Sequence, residues 1–126
     1  MSTILREIQA CALGPATRTS DGAREMIFIF PPSFLGFNGH FPDQPILPAM
    51  VQVLTGILAA RGDSPLQLKK IGRAKFMRIV KPGEKLKAHA LTSTKNGYVH
   101  AQIQLSVEGE PCAILPLVLE PADTAS

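Results

Sequence analysis

Cysteine is scarce in this 126-residue chain, which carries only Cys11 and Cys112. Two thiols so far apart form neither a disulfide framework nor a metal knuckle, and a reduced, cytoplasmic setting is expected. Long apolar runs are also missing. The longest mostly apolar stretch, residues 46–60, contains Pro48 and Gln52 and is too short to span a bilayer. The start, Met1-Ser2-Thr3-Ile4-Leu5-Arg6-Glu7, lacks a basic segment followed by an apolar run, so no secretory signal is expected. Eleven prolines and ten glycines follow no period, which excludes collagen and leaves many turns. With 45% hydrophobic and 18% charged residues, the chain is not of the disordered class. Its length predicts a single domain over residues 1–126 with one core.

Charge is unevenly placed. Lys+Arg number 13 against 10 Asp+Glu, a net of +3. Eight of the basic residues (Lys69, Lys70, Arg73, Lys75, Arg78, Lys81, Lys85, Lys87) fall between positions 69 and 87, with Glu84 the one acid among them. Such a patch is either a solvated face or a surface for an acidic partner. Phe76 alone interleaves it, too few aromatics for a single-strand stacking platform.

The pattern along the chain predicts strands over residues 4–13 and 23–30. Pro31-Pro32 ends the second, and a long irregular segment rich in Phe, Gly and Pro follows. Residues 48–61 read as a helix with Pro48 at its first position and Gly62 as its stop. That helix is small or apolar almost all round, as a buried helix is. The rest reads as strands at 66–80, 86–94, 98–107 and 112–119. They are separated by Pro82-Gly83, Asn96-Gly97 and the turn at 108–111. One all-apolar helix with antiparallel strands predicts an α+β domain, the helix against a curved sheet.

Chemistry concentrates in Gly39-His40-Phe41-Pro42-Asp43-Gln44-Pro45-Ile46-Leu47-Pro48. An imidazole on a proline-stiffened loop ahead of a helix N-terminus suits acid–base work, and the free N–H groups of that helix can polarise a carbonyl. His89 and His100 lie in alternating strands with no cysteine or carboxylate at ligand spacing. No metal site, Gly-rich phosphate loop or cofactor is expected.

Gly39-His40-Phe41-Pro42 followed by Pro45-Ile46-Leu47-Pro48 resembles the β-hydroxyacyl-[acyl carrier protein] dehydratases of fatty-acid synthesis. The stretch Lys75-Phe76-Met77-Arg78-Ile79-Val80-Lys81-Pro82-Gly83-Glu84-Lys85-Leu86 is similar to a second motif of that family. The resemblance implies the hotdog fold, a long central helix wrapped by a curved antiparallel sheet and paired into dimers. It implies dehydration of 3-hydroxyacyl thioesters to trans-2-enoyl thioesters. His40 is then the base at the α-carbon, and the backbone amide of Ala49 holds the thioester carbonyl. The implied partner is an acidic acyl carrier protein, met by Lys70, Arg73, Lys75 and Arg78; nucleic acid and a membrane span are not expected.

One part of the family's machinery has no counterpart here. The helix acid maps onto Leu54, and residues 48–61 contain no Asp or Glu. Leu54, Met50 and Phe41 are then expected to line an acyl tunnel. Three completions are open: another acid, Asp43 or a water near Gln52; a carboxylate supplied by a paralogue in a heterodimer; or binding without turnover. The Pro48-to-Gln52 spacing is reminiscent of unequal dehydratase pairs of polyene-type lipid pathways. A thioesterase and a nucleic-acid binder are the rivals from other classes.

Overall fold

The computed structural model describes residues 3–34, 46–62 and 64–122. Two helices and seven strands follow the order α1 (Thr3–Ala10), β1 (Thr17–Arg18), β2 (Arg24–Ile29), α2 (Ala49–Arg61), β3 (Leu66–Ile71), β4 (Lys75–Phe76), β5 (Lys85–Lys95), β6 (Tyr98–Val107) and β7 (Glu110–Pro121). The strands form one antiparallel sheet in the order β1-β2-β5-β6-β7-β3, with β4 also on β7.

Period-two patterning builds the sheet. Leu86, Ala88 and Ala90 of β5, Ala101, Ile103, Leu105 and Val107 of β6, and Leu115, Leu117 and Leu119 of β7 are buried. Between them Lys85, Lys87, Gln102 and Gln104 are exposed. The Asn96-Gly97 turn takes positive φ at both residues (55° and 82°), the conformation that keeps a two-residue hairpin in step with strand twist. β5 and β6 pair without a register break from Leu86↔Val107 to Lys95↔Tyr98.

α2 packs across the buried face, touching β2, β3, β5, β6 and β7. Its small side chains allow this closeness. A Cβ placed on Gly56 would lie 3.0 Å from Ile103 Cγ2. At the far end Arg24 Nη1 donates to Ala60 O at 2.8 Å, satisfying a terminal carbonyl, and Gly62 (φ 54°) ends the helix. The helix starts one residue later than the sequence predicts: Pro48 is extended (φ −64°, ψ 153°) and stands at the N-cap.

Two further expectations are corrected. Residues 4–13 are not a strand; α1 occupies Thr3–Ala10. Ile4, Leu5 and Ile8 fall on one helical face, and Ile8 is fully buried where α1 meets α2. Residues 66–80 are not one strand either. β3 ends at Ile71, and pairing resumes only for Lys75 and Phe76. The break faces Pro116 of β7, whose carbonyl accepts from Gly72 N at 2.7 Å. Proline has no N–H to offer on that same edge.

Candidate active site at the start of the central helix

His40, Phe41 and Asp43 lie outside the described residues. The described residues include the start of α2, which follows those three in the chain. Leu47 N donates to Val80 O at 2.8 Å, which pins the approach to α2 against the segment after β4. The first intrahelical bond runs from Gln52 N to Pro48 O at 3.1 Å. The amides of Ala49, Met50 and Val51 therefore precede the hydrogen-bond ladder, and no side chain caps them. Beside them an open cavity of about 300 Å³ is lined by Ile46, Leu47, Ala49, Gln52, Phe76, Met77, Arg78 and Ile79.

The lining is mostly apolar and unpartnered. Phe76, Met77 and Ile79 are 48%, 50% and 51% exposed. Met50, one of the expected tunnel residues, is also exposed, whereas Leu54 is partly buried against the chain's own core. No acidic side chain lies on α2. Its two uncharged polar side chains are both buried. Thr55 Oγ1 donates back to Val51 O at 2.8 Å. Gln52, only 4% exposed, donates from Nε2 to Leu47 O at 3.1 Å, while its Oε1 has no hydrogen-bond partner. A buried acceptor left unpaired costs about 1–3 kcal/mol. In the sequence Gln52 is expected only as the neighbour of a water, and its one signal is a lone amide on a mostly apolar helix.

Arg78 closes one side of the cavity and is held tightly. Its guanidinium donates to both carboxylate oxygens of Glu84 (3.1 and 2.7 Å), to Glu110 Oε1 at 3.0 Å and to Ile79 O at 3.1 Å. Glu84 also accepts from Lys81 N at 2.7 Å, so the Pro82-Gly83 turn is locked from inside. Hydrogen bonds from Arg78 hold the Glu84 carboxyl below its usual range, and Glu84 in turn raises the Arg78 guanidinium above its own. Lys70, Arg73 and Lys75 are exposed. Lys69 lies over the Tyr98 ring at 4.9 Å.

His89 has company that its sequence neighbours did not announce. The β2–β5 register sets Glu25 opposite it, with Nδ1 2.8 Å from Glu25 Oε2 and Nε2 3.6 Å from Asp21 Oδ2. This cluster lies on the rim, away from α2's start, and no metal-holding group occurs among the described residues. His100 is exposed on the outer sheet face. Burial raises the thiols of Cys11 and Cys112 above their usual range, which keeps both protonated and unreactive. Among the described residues no helix is long and apolar enough to cross a membrane.

A single helix laid across an antiparallel sheet, with uncapped amides facing an apolar cavity, defines the hotdog class. Within it, the chain belongs to the ApeI-like family, described as ApeI dehydratase, whose model matches residues 16–113. Among curated proteins it is similar to the 3-hydroxyacyl-[acyl-carrier-protein] dehydratases FabZ of Rickettsia rickettsii and Rickettsia felis. Each is 34% identical over an 88-residue alignment covering 61% of this chain. The match spans 61% of those relatives' own length. Solved structures share the fold, two of them as follows. One is the dehydratase heterocomplex ApeI:P from Xenorhabdus doucetiae, with TM-score 0.67 and 19% identity over 86% of this chain and 95% of that one. The other is protein PH1136 from Pyrococcus horikoshii, with TM-score 0.69 and 15% identity over 88% and 83%.

Proposed function

We propose that this chain is a cytoplasmic hotdog domain, residues 1–126, that dehydrates 3-hydroxyacyl thioesters on an acyl carrier protein to trans-2-enoyl thioesters. The observation that carries the reading is the uncapped start of α2, where Ala49 lines a mostly apolar cavity. Uncapped amides stabilise the charge that gathers on a thioester carbonyl when the α-proton leaves. In this reading the carbonyl rests on the Ala49 amide. His40 takes the proton from the α-carbon, the C3–O bond breaks, and the oxygen departs as water with one added proton. The acyl chain runs along Met50, Phe41 and Leu54.

The source of that added proton distinguishes two versions. Asp43 serves if the protein works alone. The second version pairs the chain with a carboxylate-bearing paralogue. It is favoured by Leu54, which occupies the acid's place and turns toward its own core. The fold neighbour from Xenorhabdus doucetiae is a dehydratase heterocomplex, in keeping with that pairing. A dimer seam fits the β3–β4 edge, where Ile71, Phe76, Met77 and Ile79 are exposed. Lys70, Arg73 and Lys75 form the carrier-protein surface, with Arg78 bracing the turn beside it.

The test is conversion of a short 3-hydroxyacyl carrier-protein thioester, followed by mass spectrometry, with the His40→Ala variant alongside. Turnover by the purified chain that vanishes in the variant supports the self-sufficient enzyme. Turnover only after a carboxylate-bearing paralogue is added supports the pair. Absence of enoyl product in both arms, with binding retained by His40→Ala, leaves an acyl-carrier binder and overturns the enzyme.

A further inference from the structure

The amide of Gln52 has a fixed orientation. Leu47 O can only accept, so the side-chain atom 3.1 Å from it is Nε2 and the other is the acceptor Oε1. That acceptor is buried and unpaired, and Gln52 lines the cavity at the start of α2. Among the described residues no group gives it a hydrogen bond. Ile46, Leu47, Ala49, Phe76, Met77 and Ile79 carry no polar side chain. The guanidinium of Arg78 makes four hydrogen bonds, to Glu84, Glu110 and Ile79 O. The backbone N–H of Leu47 goes to Val80 O, and those of Met77 and Arg78 go to Cys112 O. A ligand carrying a hydroxyl group can supply the missing donor.

We propose that Gln52 Oε1 accepts the hydrogen bond of the substrate's 3-hydroxyl group, making this cavity selective for hydroxylated acyl chains. The assignment rests on the proposed function and adds a recognition residue to it. In a 3-hydroxyacyl thioester the carbonyl only accepts and the methylenes do neither, so the 3-hydroxyl is the acyl chain's one donor. Ala49 and Gln52 are three residues apart on one side of the helix, offset by about 4.5 Å along its axis. A chain held at both points has its carbonyl on the Ala49 amide and its 3-hydroxyl on the Gln52 side chain. The enoyl product has lost the hydroxyl and leaves Oε1 unpaired again, which favours its release. A site that buries an unpaired polar group without the right substrate discriminates against analogues lacking the matching donor.

The test uses two pantetheine conjugates joined by an amide instead of a thioester, one 3-hydroxyacyl and one with hydrogen in place of the hydroxyl. Calorimetry on the full chain gives both affinities. The expected result is about tenfold tighter binding of the hydroxylated conjugate to wild type, and affinities within about twofold of each other in Gln52→Met. Gln52→Glu restores the preference, because a buried, protonated carboxyl offers the same donor to Leu47 O and the same acceptor to the ligand. If Gln52→Met does not fold, Gln52→Thr, too short to reach, replaces it. An equal affinity of wild type for both conjugates, or a preference untouched by loss of the amide, overturns the assignment and leaves the acyl-thioester reading standing. Failure of both conjugates to bind wild type overturns that reading and the assignment with it.

Discussion

Arg78 and Glu84 meet as a two-pronged ion pair across the Pro82-Gly83 turn, Nη1 to Oε1 at 3.1 Å and Nη2 to Oε2 at 2.7 Å. This pair explains why the second sequence motif couples an arginine to Pro-Gly-Glu. The pair helps to hold the turn that leads back from Ile79 and Val80. Gly83 N adds a bond to Phe30 O at 2.8 Å, tying the same turn to the end of β2.

The pair makes stability depend on pH. Glu84 is held below its ordinary value of 4.5 by Arg78. A carboxyl with a lowered folded-state pKa stabilises the fold above its unfolded value and loses that contribution as pH falls through the folded one. Glu84→Gln should therefore melt about 3 °C below wild type at pH 7. The gap should close as pH drops below 4.5. Thermal melts of both proteins at a series of pH values check this; a gap that persists at low pH contradicts it.

The Ala49 amide can be removed without breaking the helix. Proline is tolerated at a first helical position, and Pro48 already has the extended backbone that a following proline demands. Ala49→Pro should keep its melting temperature within a few degrees. Turnover should fall about 10²–10³-fold, the usual effect of losing one oxyanion donor. Circular dichroism melts and carrier-protein turnover, measured on the same preparation, read the two effects separately.

Losing the base should be as costly. His40→Ala should lower turnover about 10²–10⁴-fold while leaving the affinity for an acyl-pantetheine conjugate within about threefold of wild type. A drop confined to affinity would make His40 a binding residue instead.

Gly56 sets how closely α2 approaches the sheet. A Cβ there lies 3.0 Å from Cγ2 and 3.2 Å from Cγ1 of Ile103, itself fully buried. Gly56→Leu should overpack the interface and cost about 1–3 kcal/mol in urea unfolding. A variant as stable as wild type would mean that β6 yields at this point.

Much of the fold was written in local pattern. Alternation over 86–94 and 98–107, an Asn-Gly turn between them, and a helix apolar on every side gave their elements within a residue or two. α1 was misread because Ile4, Leu5 and Ile8 fit a short apolar run of either period. Its helical state comes from packing on α2. Only Gly72 marks the gap between β3 and β4 within residues 66–80, a weak local signal. The cause of the gap, Pro116, is far along the chain on the neighbouring strand.

The site divides the same way. Motif residues point to His40, which lies outside the described residues, and to the amide of Ala49, because such chemistry depends on residue type and order. The sequence by itself determined that the central helix carries no acid, since residue identity decides charge. Tertiary structure alone decided the rest. It turned Leu54 toward the core and brought Glu25 and Asp21 to His89. It committed Arg78 to an ion pair, and it buried Gln52 with an acceptor that nothing in the described protein satisfies. Burial and pairing depend on which distant segments share a surface, and only the folded chain contains that information.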